Sequence, residues 1–92
     1  MTLTGNYRRL ERIIKGVSNH RRIQILELLG RQPELSVNEI SERTGSDFKN
    51  ISAHVRRMAI AGLVMKRSDG KSVRHKITNR GINVLTFVRM LE

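Results

Sequence analysis

The chain has 92 residues, of which 38% are hydrophobic and 3% aromatic, and its 18 Lys and Arg outweigh its 8 Asp and Glu for a net charge of +10. This length predicts one small domain with a modest core of aliphatic side chains. The absence of cysteine excludes disulfides, thiolate metal sites and thiol nucleophiles, and the large positive charge is typical of proteins that bind a polyanion, with nucleic acid favoured over anionic membrane.

The first segment predicts an amphipathic helix between Asn6, a suitable N-cap, and Gly16. Its apolar residues recur at helical spacing: Tyr7, Leu10, Ile13, Ile14 and Val17. No apolar run here is long enough for a signal peptide or a membrane span. We therefore expect a cytoplasmic protein without a membrane partner.

Two more helices are predicted before the middle of the chain. The pair Ser18 and Asn19 offers an N-cap for a dense apolar helix that we expect to end at Gly30. Ser36 and Glu39 have the spacing of a capping box, which opens a short helix. Gly45 is placed to end that helix.

The stretch SDFKNISAHVRRMAIAGLV, residues 46–64, predicts a fourth helix that Ser46 or Asp47 caps and Gly62 ends. One side of it is apolar: Phe48, Ile51, Val55, Met58 and Gly62. The other side is polar or basic: Lys49, Asn50, Ala53, Arg56 and Arg57. Because few residues separate this helix from the preceding one, the two must cross sharply, as in a helix-turn-helix.

The remaining residues predict a hairpin and a last helix. Two short β-like runs, 63–67 and 73–77, flank Asp69 and Gly70, a pair typical of a turn with positive φ at both positions. Asn79 is a possible cap for the last helix, whose apolar residues exceed one narrow face: Ile82, Val84, Leu85, Phe87, Val88, Met90 and Leu91. The predicted fold is mainly α with a small β-hairpin: a winged helix-turn-helix of about five helices plus a two-stranded wing.

The polar side of the fourth helix suits the major groove of DNA. A recognition helix reads base edges with its N-terminal half. Lys49 is therefore predicted to reach guanine acceptors, Asn50 to pair two ways with adenine, and the Ala53 methyl to pack on a thymine methyl. Further candidates for base or phosphate contacts are Ser52, His54, Arg56 and Arg57. For His54, partial burial is an equal alternative, and for the others a solvated surface is the alternative.

The hairpin carries a second set of candidate DNA contacts: Lys66, Arg67, Lys71, Arg74 and Lys76. Arg67 and Lys71 flank the turn and are placed to enter a narrow minor groove. A solvated hairpin edge kept soluble by lysines is the alternative. Residues 47–80 hold nine Lys and Arg against two acids, a net +7 of the chain's +10. This concentration on two elements favours a docking surface for DNA.

Residues 18–78 resemble the ArsR-type winged-helix transcriptional repressors, and more broadly the MarR-type ones. Three segments carry the resemblance: SNHRRIQILELL, LSVNEISERTGSDFKNISAHVRRMAIAGLV and KRSDGKSVRHKIT. The resemblance implies that residues 1–92 form a single winged-helix DNA-binding domain and a homodimer, with the first and last helices at the interface. The implied interface residues are Tyr7, Leu10, Ile14, Val17, Leu85, Val88 and Leu91. The alternative is that both helices cover the core of one subunit.

The chain departs from that family at its metal-sensing positions. One family site uses cysteines in the helix that begins here at Ser36, and the chain has none. Another uses Asp, His and Glu along the last helix, whereas NRGINVLTFVRMLE contains no His or Asp and a single terminal Glu. The three histidines, His20, His54 and His75, are scattered over different elements. We therefore predict neither a metal site nor a cofactor.

The expected function is a homodimeric, sequence-specific double-stranded DNA-binding transcriptional regulator, acting as a repressor. A non-specific or architectural nucleic-acid-binding protein carries the same charges and is one alternative. A winged helix that meets an acidic protein partner is another. An enzyme is not expected, because the sequence offers no phosphate-binding glycine loop, no catalytic thiol and no paired carboxylates in an apolar setting.

Overall fold

Five helices and one antiparallel hairpin follow each other in the predicted order in a computed structural model that describes residues 2–92. The helices before the hairpin are α1 (Tyr7–Lys15), α2 (His20–Arg31), α3 (Val37–Thr44) and α4 (Phe48–Ile60). The hairpin strands are β1 (Val64–Ser68) and β2 (Val73–Ile77), and α5 (Asn79–Arg89) follows them. The predicted fold class is confirmed.

Side-chain caps fix the starts of three helices as the sequence predicts. The Asn19 side chain accepts from the Arg21 amide at 2.9 Å, which opens α2. Both bonds of the Ser36–Glu39 capping box are formed at α3. The Asp47 carboxylate accepts from the Asn50 amide at 2.8 Å and opens α4. Each cap satisfies a backbone donor that has no partner inside its helix.

Three predicted boundaries are wrong or incomplete. Gly30 lies inside α2, which continues to Arg31, and a Cβ at Gly30 would lie only 2.8 Å from Leu85 Cδ2. This glycine therefore serves the close approach of α5 rather than the end of α2. Thr78, not Asn79, caps α5 through a 3.0 Å bond from the Gly81 amide. Asn6 precedes α1 but makes no side-chain cap bond.

The turn of the hairpin also differs from the prediction. The strands pair in register from Val64↔Ile77 to Ser68↔Val73, so four residues connect them instead of two. Gly70 has a φ of 93°, whereas Asp69 does not have the positive φ of a two-residue turn. The Asp69 carboxylate instead accepts from the amide and hydroxyl of Ser72, at 3.2 and 3.0 Å, and closes the loop.

The core lies between α2, α3, α4 and the start of the hairpin. Its fully buried members are aliphatic side chains of these elements: Ile25, Leu26, Leu29, Ile40, Ile51, Val55, Met58 and Leu63. The predicted apolar side of α4 is confirmed at Ile51, Val55 and Met58. Phe48 is the exception: it opens α4 one turn before Ile51 and is 53% exposed. Burial of the apolar side fixes the rotation of α4 and turns its basic side toward solvent.

Candidate nucleic-acid interface

The polar side of α4 forms an exposed basic face. Six of the seven residues predicted there are exposed: Lys49, Asn50, Ser52, Ala53, Arg56 and Arg57. Lys49, Ala53 and Arg56 follow each other at helical spacing and therefore lie along one stripe. Within residues 2–92, Lys49, Arg56 and Arg57 make no ion pair with an acidic side chain. Their charges are therefore not neutralised inside the chain.

The turn between α3 and α4 holds this face in place. Gly45 ends α3 with a φ of 72°, a conformation that costs glycine little. The Ser41 hydroxyl donates to the Ser46 carbonyl across the turn, and Arg21 of α2 donates to the Thr44 carbonyl at 3.1 Å. The first turn of α4 is thereby fixed relative to both preceding helices.

Asn50 is positioned by the residue that caps its own helix. Its side-chain amide donates to Asp47 Oδ2 at 2.8 Å, in addition to the backbone bond to Oδ1. An asparagine side chain has a second N–H and a carbonyl oxygen. Both groups remain for a base edge, so the contact to Asp47 orients Asn50 without using up its bonding capacity.

His54 is half-buried at the flank of α4. Burial lowers the pKa of His54, and the nearby positive charges of Arg22, Arg21 and Arg57 lower that pKa further. The imidazole is therefore neutral at pH 7 and adds no charge to the basic face. A neutral ring can still donate one hydrogen bond to a phosphate oxygen.

Two of the five basic residues predicted on the wing are paired within the chain. Arg67 Nε donates to Glu34 Oε1 at 2.6 Å. Arg74 is half-buried, and its guanidinium bonds Glu39 Oε1 at 2.7 Å and Asp69 Oδ2 at 3.0 Å. That Arg74 contacts DNA stays a prediction; within the chain, this side chain ties the wing to α3 through Glu39. Lys66, Lys71 and Lys76 are exposed and in no ion pair among the described residues.

Two acidic partners of these arginines, Glu34 and Glu39, lie far from the hairpin in sequence. Glu34 carries a φ of 65°, and its amide donates to the His75 carbonyl at 2.9 Å, so it sits directly against β2. Hydrogen bonding from Arg67 lowers the pKa of Glu34. The Ser36 bonds, followed by the charge of Arg74, lower the pKa of Glu39. Glu39 had a visible capping role, but its second role as a partner of Arg74 depends on a contact 35 residues away.

His75 joins the wing to the segment before α3. The residue is 1% exposed, its ring Nδ1 lies 3.0 Å from the Leu35 carbonyl oxygen, and its backbone pairs with Leu35 as a short extension of the sheet. Burial lowers the pKa of His75 below 6.5, and the bond to Leu35 opposes this shift only in part. The ring is thus held neutral in the core.

We expect the protein to lose stability as the pH falls below about 6.5. Because the pKa of His75 is lowered in the folded state, the unfolded chain binds more protons in this range. The stabilisation is complete above the unfolded value and declines as the pH falls toward the folded value. Urea unfolding at about pH 7.5 and about pH 5.5, where ordinary carboxylates stay ionised, measures the difference.

His54 shifts the stability in the same direction, so the variants must separate the two rings. His75→Gln is expected to remove part of the pH difference, and His54→Gln another part. Equal unfolding free energies at the two pH values in the unmodified protein would contradict the assignment. So would a His75→Gln variant that keeps the whole difference.

The residues predicted at the dimer interface divide into two groups. Tyr7, Ile14 and Leu91 are 66%, 63% and 69% exposed, and Leu10 and Val88 are half-buried. Val17 and Leu85 are 8% and 5% exposed and belong to the core of the single chain. That these last two lie at a dimer interface stays a prediction, and in the single chain little of either side chain is exposed.

Residues 2–92 contain neither a metal-binding cluster nor a membrane-spanning helix. No group of three or more His, Asp or Glu side chains in this range is arranged to hold a metal ion. None of the helices in this range has the length and apolar character needed to cross a membrane.

The tight α3–α4 turn, the exposed basic face of α4 and the hairpin that follows define a winged helix-turn-helix domain, the fold of the ArsR-type regulators. Residues 17–84 match the model of the family described as HVO_A0114. The chain belongs to this family.

Solved structures share the architecture over nearly the whole chain. The homodimeric winged helix-turn-helix DNA-binding domain Mb0332 of Mycobacterium bovis, a possible ArsR-family regulator, is 27% identical with a TM-score of 0.84, covering 99% of this chain and 89% of that one. HlyU of Vibrio cholerae is 27% identical with a TM-score of 0.82, covering 97% of each chain. These two structures place α1 and α5 within the shared fold.

A curated relative supports the same class. The transcriptional regulator KmtR of Mycobacterium tuberculosis is 29% identical over 75 residues, which is 82% of this chain. The match spans 57% of KmtR.

Proposed function

We propose that two copies of this chain bind a specific duplex sequence and repress transcription by covering a promoter. The observation that supports this most is the unneutralised basic face of α4, with Lys49, Ala53 and Arg56 along one exposed stripe. An α-helix fits the major groove, where each base pair presents a distinct set of donors and acceptors.

The side chains are proposed to divide between reading bases and holding phosphates. Lys49, Asn50 and Ala53 occupy the first half of α4, which is the half that recognition helices present to base edges. Four further residues of α4 are proposed to contact the phosphates of the DNA backbone on either side of the groove: Ser52, His54, Arg56 and Arg57. Phosphate contacts fix the register of a protein on the duplex, and base contacts carry the sequence preference.

The wing is proposed to contact the neighbouring groove through Lys66, Lys71 and Lys76, which are exposed. Arg67 belongs to this set in a conditional way, since a phosphate would have to replace Glu34 as its partner. Exposed ion pairs are weak, so such an exchange costs little. Arg74 would likewise have to exchange Glu39 or Asp69 for a phosphate.

A dimer gives this surface its two-fold arrangement. The exposed apolar residues Tyr7, Ile14 and Leu91 are proposed to be covered by the second copy. Two recognition helices related by two-fold symmetry fit half-sites about one helical turn apart. Mb0332 is homodimeric, which is consistent with this assembly. Because the chain has no cysteine and its last helix segment NRGINVLTFVRMLE has no His or Asp, we propose that regulation does not use the cysteine or last-helix metal sites of ArsR-type proteins.

Selection of bound duplexes from a random pool, followed by footprinting of the winner, tests the proposal. We expect an inverted repeat with half-sites about 10 base pairs apart. We also expect the logarithm of the association constant to fall linearly with the logarithm of the salt concentration, with a slope of about −0.9 for each phosphate contact. Loss of all binding to excess random competitor would instead support a non-specific binder. Failure to retard any duplex at low salt would support a protein-binding role.

A further inference from the structure

A cleft of about 460 Å³ lies between α1 and the C-terminal end of α4. Six cationic side chains line it and no carboxylate does: Arg9, Arg12, Lys15, Arg22, Arg57 and Arg80. Ile13, Ile60 and Ala61 give it an apolar wall. A concave site that combines an apolar surface with a few charged groups is typical of a small-molecule site.

Close packing fixes the shape of this cleft. A Cβ at Gly16 would clash with the Cβ of Ala61, so only glycine allows the end of α1 to lie so near the end of α4. Arg80 Nη1 donates to the carbonyl of the same Ala61 at 3.0 Å and lies over Gly62. Contacts within the fold therefore hold the wall of the cleft around Ala61 in place.

Arg22 is the unusual member of the lining. It is 9% exposed, its Nε has no hydrogen-bond partner, and its Nη2 reaches the Ser18 carbonyl at 3.4 Å. Burial lowers the pKa of Arg22, and the charge of Arg57 lowers it further. A buried cation without a counter-charge is costly. The chain thus holds a buried guanidinium for which residues 2–92 provide no acidic partner.

We propose that this cleft binds a small phosphorylated molecule with a compact apolar group. Its phosphate accepts hydrogen bonds from Arg12, Arg22 and Arg57, and its apolar group packs on Ile13 and Ile60. Guanidinium groups bind phosphate through paired, charge-assisted bonds, and a dianion compensates the crowded positive charge better than a single carboxylate does.

The phosphorylated molecule is expected to bind the cleft without DNA present, and its binding is expected to affect duplex binding. Arg57 lines the cleft and also belongs to the basic face of α4. A bound phosphate that engages Arg57 competes with a DNA phosphate for the same guanidinium, so an occupied cleft is expected to weaken duplex binding. This consequence, unlike the binding itself, rests on the proposed function.

The test uses phenyl phosphate, followed in ¹⁵N–¹H correlation spectra that include the arginine Nε–H signals, with no DNA present. We expect saturable shifts of the Arg22 Nε–H signal and of the backbone amides of Gly16 and Ala61. Inorganic phosphate is expected to shift the same signals at higher concentration, because it lacks the apolar group. The absence of saturable shifts at these positions would overturn the proposal, whatever the outcome of the duplex experiments.

Two variants of α1 provide a matched pair. Arg12→Gln and Arg8→Gln each remove one positive charge from an exposed position, but only Arg12 lines the cleft. We expect Arg12→Gln to weaken phenyl phosphate by about fivefold to tenfold and Arg8→Gln by less than about twofold. Equal losses would indicate general charge attraction and overturn the proposal. A duplex that shifts the Arg22 signal when phenyl phosphate does not would overturn it too, because the cleft would then belong to the DNA surface.

Discussion

Replacing Lys49 and Arg56 together by glutamate is expected to weaken duplex binding on the order of a hundredfold or more. Both side chains are exposed, both lie on the same stripe of α4, and neither is in an ion pair within residues 2–92. Each reversal exchanges attraction to a phosphate or a base acceptor for repulsion, and a dimer suffers each change twice. Titration of the selected duplex by fluorescence anisotropy, at two or more salt concentrations, measures the loss.

The salt dependence of the affinity separates the loss of phosphate contacts from the loss of base contacts. Loss of phosphate contacts is expected to flatten the decline of affinity with salt, because fewer counterions are released on binding. Stability should change little, since neither residue packs in the core. Urea unfolding of the double variant checks that the loss of binding is not a loss of fold.

Arg31→Glu is the control for this charge reversal. Arg31 is exposed and lies at the end of α2 opposite Arg21, which contacts the α3–α4 turn. The Arg31→Glu substitution changes the net charge by as much as each α4 substitution does, but at a position outside the proposed face. We therefore expect it to weaken duplex affinity by less than about threefold. If Arg31→Glu weakened binding as much as Lys49→Glu or Arg56→Glu alone, non-specific charge attraction would explain the binding. If the double variant bound normally, α4 would not be the recognition helix.

The order of elements followed from signals that lie within a few residues of each other. Asn19, Ser36 and Asp47 each cap a helix through amides two or three positions away, so the sequence alone was sufficient to predict them. The period of Ile51, Val55 and Met58 likewise determined which side of α4 would be exposed. Most of the candidate site was predictable for this reason.

The errors share a different cause, which is contact across the fold. Gly30 resembled a helix end because its packing against Leu85 of α5 depends on tertiary structure. The ion pair of Arg74 with Glu39 joins residues 35 positions apart, so the local pattern of charges could not predict it. The burial of Arg22 in the cleft likewise depends on the packing of distant elements and has no local signal in the sequence.

Introducing aspartate at both Ile14 and Leu91 is expected to convert a dimer to a monomer. These residues are 63% and 69% exposed in the single chain, so the change costs the monomer little. In a dimer, each charge would be buried in an apolar interface, and the two-fold arrangement would repeat the penalty in both copies. We expect the dissociation constant of the dimer to rise on the order of a hundredfold or more, measured by sedimentation velocity over a range of concentrations.

Met65→Asp with Val73→Asp is the matched control, because it places two aspartates at apolar residues of the hairpin that are 53% and 44% exposed. The control is expected to leave the dimer intact, since α1 and α5 are unchanged. Duplex affinity should fall in the Ile14→Asp, Leu91→Asp variant as well, because a monomer engages one half-site where the dimer engages two. An unmodified protein that sediments as a monomer would refute the assembly, and a dimer that survives both aspartates would move its interface away from these two positions.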